Sequence, residues 1–195
     1  MNRRELLGVL AAAVAGSAPG RLSADGLLAR GRTAHRRARG RALQVFDPHQ
    51  AETVAAMAEM IIPATDTPGA RAAQVPEFID LLVAESASDE ERASFLRGLG
   101  DVDTRSRDAF GVEFVAASEA QRVAILAGLD AEVQALRQAG EKAEEHFFQR
   151  LKWLTVYGYC TSEIGATAGL RYETLPGSYD GCAEVRASRA APGDF

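Results

Sequence analysis

The chain has 195 residues, 27 of them acidic and 22 Lys or Arg, for a net charge of −5, and 47% of its residues are hydrophobic. That balance excludes a disordered polar segment and suffices for one domain of ordinary size with its own core. Charge is unevenly placed: residues 1–41 hold nine arginines against Glu5 and Asp25, a surplus of seven, so the remainder carries −12, which argues against nucleic-acid binding by the domain itself.

Residues 1–18, MNRRELLGVLAAAVAGSA, set Arg3 and Arg4 ahead of an apolar run from Leu6 to Ala15 and a small-residue exit. A charged start, an apolar middle and small residues are the order of an export signal. The run is roughly half of the about 20 residues that a spanning helix needs. The pair Arg3-Arg4 points to the twin-arginine route, which carries folded passengers, although Asn2 stands where Ser or Thr is usual. Cleavage is expected after Ala13-Val14-Ala15 or Gly16-Ser17-Ala18. An uncleaved anchor and an ordinary N-terminal helix are the alternatives. The expected location is the periplasm.

Residues 19–45 are rich in Arg, Gly and Ala without a sustained apolar period, and read as a linker. The run Arg36, Arg37, Arg39 and Arg41 reads as a solvated tether, or as a contact for acidic lipid or a partner. The domain spans residues 46–182, and 183–195 form a tail. Asp47-Pro48-His49-Gln50 is a helix start, with Asp as N-cap, Pro at the first helical position and Gln three residues after the cap. Val54, Met57, Ala58 and Ile61 fall on one face, and Pro63 ends the helix. ATDTPG at 64–69 is a loop. A second helix opens at Pro76 and carries Phe78, Leu81 and Leu82. Ser88 and Glu91 form a capping box for a third, with Phe95, Leu96 and Leu99, which Gly98 and Gly100 end or kink. Ser118 and Gln121 repeat the device for a fourth, carrying Val123, Leu126, Leu129 or Asp130, Val133 and Leu136 and interrupted by Gly128. A fifth runs over 141–158, with Phe147, Phe148, Leu151, Leu154 and Thr155 on one side. No alternating stretch is long enough for a strand. The predicted fold is all-α: one compact domain of about five helices with an irregular C-terminal tail.

Candidate chemistry is sparse. His35 lies in the linker and His49 in a first helical turn. Glu144 and His146 are two apart, and metal ligands on one helix face need a spacing of three or four. No glycine-rich phosphate loop, haem-attachment motif or nucleophile elbow occurs. Asp66 reads as a turn former, and Ser162-Glu163 has no neighbouring base to activate the serine. No catalytic, cofactor-binding or metal-binding residue is therefore assigned. Cys160 and Cys182 are too few for a disulfide scaffold; in an oxidising compartment they either pair or remain separate thiols. The segment 147–159 gathers Phe147, Phe148, Trp153, Tyr157 and Tyr159. Aromatics at helical spacing are usually core, but five exceed what one face hides, and a surplus suits an interface.

MIIPATDTPG at 60–69 followed by QVPEFID at 74–80 resembles the hallmark of the gluconate 2-dehydrogenase subunit 3 family. FQRLKWLTVYGYCTSEIG at 148–165 and LPGSYDGC at 175–182 are similar to it as well. The resemblance implies a non-catalytic small subunit of an exported, often membrane-bound dehydrogenase. The large subunit would carry FAD and oxidise a sugar, polyol or sugar acid, and a multihaem cytochrome c subunit would take the electrons. One signal would export the folded pair. A partner that binds only the folded large subunit stabilises it by mass action. The expected contact surface comprises Pro63, Asp66, Pro68 and Gly69 with Trp153 and Tyr157. The competing readings are a self-sufficient small periplasmic enzyme or binding protein, and a cytosolic helical adaptor.

Overall fold

In the computed structural model, capping boxes set the starts of three helices and the burial of one further helix organises the packing. The structure describes residues 24–170. The signal with Arg3 and Arg4, Cys182, the LPGSYDGC stretch and the tail 183–195 lie outside them. Among the described residues six α-helices run as α1 (Ala24–Ala38), α2 (Pro48–Ile61), α3 (Val75–Ser86), α4 (Asp89–Phe110), α5 (Glu119–Gln138) and α6 (Phe147–Thr161), with 3₁₀ turns at Phe114–Ala116 and Ala143–Glu145 and a π turn at Gly165–Gly169. The described residues contain no strand, so the fold is all-α as the periodicity predicts. None of their helices is long and apolar enough to cross a membrane.

The capping boxes hold at all three places. Asp47 accepts from Gln50 N at 2.8 Å while Asp47 N donates to the Gln50 side chain at 3.1 Å. Ser88 with Glu91 and Ser118 with Gln121 make the same reciprocal pairs. Two boundaries differ from the sequence reading. α4 continues through Gly98 and Gly100 to Phe110. Gly98 does not break the helix; it makes room for a side chain, since a Cβ there would lie 2.3 Å from the Phe147 ring. α6 begins at Phe147 instead of Glu141, because the His146 side chain caps it, its Nδ1 accepting from Phe148 N at 3.2 Å. The stripe on α5 is also thinner than predicted: Leu129 and Val133 are buried, but Val123 is exposed.

α6 is the centre of the fold and packs against all five other helices. Its buried residues include Phe148, Leu151, Leu154, Thr155, Tyr157 and Tyr159, which occupy most of its circumference. Trp153 is half-buried and stacks on Tyr157 at 5.0 Å between ring centroids. The aromatics that looked like a surplus are therefore mostly core.

The largest departure is α1. The predicted linker 19–45 contains a 15-residue helix that packs on α3 and α6. Its buried positions are Leu27, Gly31, Ala34 and Ala38. The spacing is helical, but three of the four residues are too small to register as an apolar stripe. Burying one leucine contributes only about 2 kcal/mol, and an isolated helix of this length is marginal in water. Polar ties complete the docking. His35 Nε2 donates to Gly158 O at 2.7 Å, and its ring stacks on Phe78 at 4.4 Å. The Tyr157 hydroxyl donates to Leu27 O at 2.8 Å. Gly31 allows the close approach, since a Cβ there would sit 2.5 Å from the Thr161 side chain. The arginine run is not a tether: Arg37 pairs with Glu85 at 2.6 Å, Arg41 reaches the same carboxylate at 3.7 Å, and Arg39 meets Glu163 at 3.5 Å. Exposed pairs of this kind are each worth well under about 1 kcal/mol.

The connection from α1 to α2 is fixed by Asp80 of α3. This carboxylate is 2% exposed and accepts three consecutive backbone N–H groups, from Gln44 at 2.7 Å, Val45 at 3.0 Å and Phe46 at 2.9 Å. Hydrogen bonds to a charged acceptor each contribute about 1.5–3 kcal/mol, and a buried donor left unsatisfied costs a similar amount. Asp80→Ala is expected to lower stability by about 3 kcal/mol or more in urea unfolding, with Asp80→Asn, which keeps an acceptor, falling between it and the unaltered chain.

Two histidines give the fold opposite pH dependences. Burial lowers the His35 pKa below its ordinary 6.5, and Arg39 adds to that. Its stabilising contribution is present above 6.5 and is lost as pH falls through the depressed folded value. His49 Nε2 contacts Asp103 Oδ2 at 2.6 Å, and that hydrogen bond raises the His49 pKa above 6.5. Its contribution is present below 6.5 and is lost as pH rises through the raised value. Melting temperature measured against pH should therefore decline less on the alkaline side for His49→Gln than for the unaltered chain. In His35→Gln the decline on the acid side should be the one that shrinks.

Candidate functional site

The segment after α2 is an exposed loop held in one shape. Pro63, Ala64, Thr65, Asp66 and Pro68 are exposed, while Gly69 and Ala70 are buried. Glu59, in the last turn of α2, clamps the loop across its base: one carboxylate oxygen accepts from Ala64 N and the other from Arg71 N, both at 2.9 Å. Ala70 N donates to Ile62 O at 3.0 Å, and Thr65 N to Thr67 O at 2.9 Å. The Tyr159 hydroxyl of α6 donates to Pro68 O at 2.8 Å. Gly69 is required here, because a Cβ would lie 2.3 Å from Glu59 Oε1 and 2.5 Å from Ala64 N. Asp66 accepts from the Thr65 hydroxyl at 3.0 Å and otherwise presents its carboxylate to solvent.

A cleft of about 590 Å³ adjoins this loop through Arg71. Leu43, Pro48, Ala51, Ala55 and Pro76 supply its apolar lining, and Arg41, Glu52, Arg71 and Glu77 its charges. Arg71 grips Glu52 with both terminal nitrogens, at 2.6 and 3.1 Å, a bidentate pair. The Arg71 hydrogen bond lowers the Glu52 pKa. Arg71, two residues beyond the loop, has its backbone fixed by Glu59 and its side chain by Glu52.

The other predicted contact residues do not join this surface. Trp153 and Tyr157 belong to the side of α6 that Tyr157 turns toward α1, and Tyr157 is 7% exposed with its hydroxyl used at Leu27. Tyr159, two residues on and so about 200° around the helix, is the aromatic that reaches the loop. The surface formed by Pro63, Asp66 and Pro68 is therefore built without Tyr157, which is core. Glu59 was missed in the sequence because no motif marks a glutamate near a helix end as a clamp for amides five and twelve residues on.

Asp103, His49, His146 and Ser162 are committed to structure. Asp103 accepts from His49 with one oxygen and from Phe114 N with the other, at 3.0 Å. His146 caps α6 and lies 3.4 Å from Glu132. The Ser162 hydroxyl donates to Tyr159 O and accepts from Gly165 N, both at 2.8 Å, which ends α6. Cys160 is half-buried, and burial pushes its thiol pKa up, the opposite of what an activated thiolate needs. Among the described residues no group of three His, Cys, Asp or Glu is placed to hold a metal ion.

No curated protein sequence and no solved structure matches the chain at a significant level. The description gluconate 2-dehydrogenase subunit 3 matches over residues 48–177, a span that runs from the first residue of α2 past the described end of α6 and contains the clamped loop. The chain belongs to the gluconate 2-dehydrogenase subunit 3 family.

Proposed function

We propose that the chain is a non-catalytic accessory subunit of a periplasmic, FAD-dependent dehydrogenase acting on a sugar, polyol or sugar acid. In this reading the large subunit binds FAD, a cytochrome subunit that accepts the electrons binds c-type haem, and this chain binds neither cofactor. The pair reaches the periplasm on the Arg3-Arg4 signal, and contact with the inner membrane comes through the complex.

The observation that carries the reading is the exposed loop 63–69, fixed in advance by Glu59 and Tyr159. Docking of a flexible loop costs conformational entropy, and an ordered one has already met that cost on folding. A rigid exposed turn beside an open cleft is a surface for a macromolecular partner. The polar groups with side chains suited to chemistry, His49 with Asp103 and Ser162, are consumed by caps and inter-helix ties. Stabilisation of the large subunit then follows from binding its folded form alone.

Affinity purification of the full-length chain from its native cells tests this. The expected result is a co-purifying larger polypeptide with a flavin absorption band and sugar or sugar-acid dehydrogenase activity, both lost from the periplasm when the chain is deleted. A chain that purifies alone, or with a partner free of flavin, overturns the reading. Replacing Arg3 and Arg4 together by Lys keeps the charge and is expected to leave both subunits in the cytoplasm; normal periplasmic delivery would remove the twin-arginine part.

A further inference from the structure

The residues from Ala24 to Arg41 include six arginines, no lysine and one acidic residue, Asp25. α1 buries Leu27, Gly31, Ala34 and Ala38 and exposes Arg30, Arg32, Arg36 and Arg37, with Arg39 and Arg41 exposed just beyond its end. At 100° per residue, Arg32 and Arg36 lie roughly opposite the buried side, and Arg30 and Arg37 share one flank. The whole outward surface of this helix is therefore basic.

The rest of the fold does not balance it. Two carboxylates reach this surface: Glu85, which meets Arg37 and Arg41, and Glu163, which meets Arg39. With Asp25 counted, three acidic residues stand against six arginines. Arg36 donates to the Thr33 hydroxyl at 2.9 Å, a neutral partner, and Arg30 meets no carboxylate among the described residues. Both side chains are open to approach. The chain as a whole is negative, at −5, so attraction to an anionic surface has to be local. Charges are screened beyond about 8 Å at physiological ionic strength, a short distance against the length of α1, about 22 Å.

We propose that the outward face of α1 docks on an anionic phospholipid surface, with Arg30, Arg32 and Arg36 on the headgroup phosphates. The guanidinium fork matches a phosphate in geometry as well as charge. The choice of a bilayer comes from the same stretch of chain: the apolar run Leu6–Ala15 ends nine residues before Ala24, a span of at most about 32 Å. A membrane that takes up this run in export is within reach of α1, and to that extent the proposal rests on the reading of residues 1–18 as an export signal. Leu27, the apolar anchor of α1, is spent on the core. The contact is thus electrostatic, without insertion of an apolar face, and reversible by salt.

The test is co-sedimentation of the full-length chain with vesicles of pure phosphatidylcholine and of an equal mixture of phosphatidylcholine and phosphatidylglycerol, at physiological and at high salt. The pure vesicles measure binding through the apolar run alone. The unaltered chain is expected to bind the mixed vesicles more tightly and to lose that difference at high salt. Each arginine removed should weaken the difference about fivefold, and Arg30→Gln, Arg32→Gln and Arg36→Gln together about a hundredfold. The melting temperature should stay near that of the unaltered chain, since all three residues are exposed. Arg36→Gln alone serves where the triple variant fails to fold. Removing the same charge elsewhere, with Arg97→Gln, Arg107→Gln and Arg137→Gln on α4 and α5, should leave binding unchanged. Equal binding to both kinds of vesicle, or equal losses in the two triple variants, overturns the proposal. Vesicle binding that survives the α1 substitutions while a co-purifying flavoprotein is lost overturns it in favour of an acidic protein surface. Neither result touches the reading of the chain as an accessory subunit, which stands or falls on co-purification of the unaltered chain.

Discussion

Helix α6 carries bulky side chains around most of its circumference, and a helix of that kind is stable only when it is enclosed. Five helices and two short turns enclose it. α2 and α3 cover one side with Val54, Met57, Phe78 and Ile79, all fully buried. α4 and α5 supply Leu99, Val102, Leu129 and Val133. The remaining side, with Tyr157, falls to α1. Without α1 the Tyr157 hydroxyl would lose its acceptor, and Gly158 O the hydrogen bond from His35. The first of the described helices is thus part of the core, although its own apolar content is small.

This division explains what could be read from the sequence. The three capping boxes, Pro48 at a first helical position and the stop at Pro63 act within a few residues, so the starts of α2, α4 and α5 are legible without the fold. The loop at 63–69 is legible for the same reason, since its Pro and Gly are local signals. α1 was not, because its buried face is largely Gly31, Ala34 and Ala38, with Gly31 close against Thr161, and a stripe of small residues carries no hydrophobic signal. Tyr157 was misplaced because spacing says which residues share a face and not what covers that face. Of the candidate site, the exposed turn was visible. Its clamp, Glu59, was not, and neither was the Glu52–Arg71 pair, which spans 19 residues.

Asp80 and Glu59 solve the same problem in two places. Each is a carboxylate whose oxygens accept backbone N–H groups that no helix satisfies, and each fixes a connection that would otherwise have many conformations. The carboxylate is suited to this because its two oxygens offer several acceptor sites and no donor. The interior one, Asp80, anchors the chain between α1 and α2. The peripheral one, Glu59, shapes the turn between α2 and α3. Both connections lead to the cleft, whose walls include Leu43 from the first and Arg71 from the second.

The two tyrosines of α6 divide the molecule along the same line. Tyr157 ties α1, and Tyr159, on the opposite side of the helix, ties the exposed loop at Pro68. α1 has the fewest bulky buried residues of the helices that touch α6, which makes it the unit whose opening costs least free energy. Its release would uncover Tyr157 and Phe78, and Phe78 sits 2.8 Å from where a Cβ of Gly158 would be, a contact that any shift of α6 must disturb. The loop's anchor is the next residue after Gly158. The docking of α1 and the shape of the exposed turn therefore depend on three consecutive residues of one helix, Tyr157, Gly158 and Tyr159.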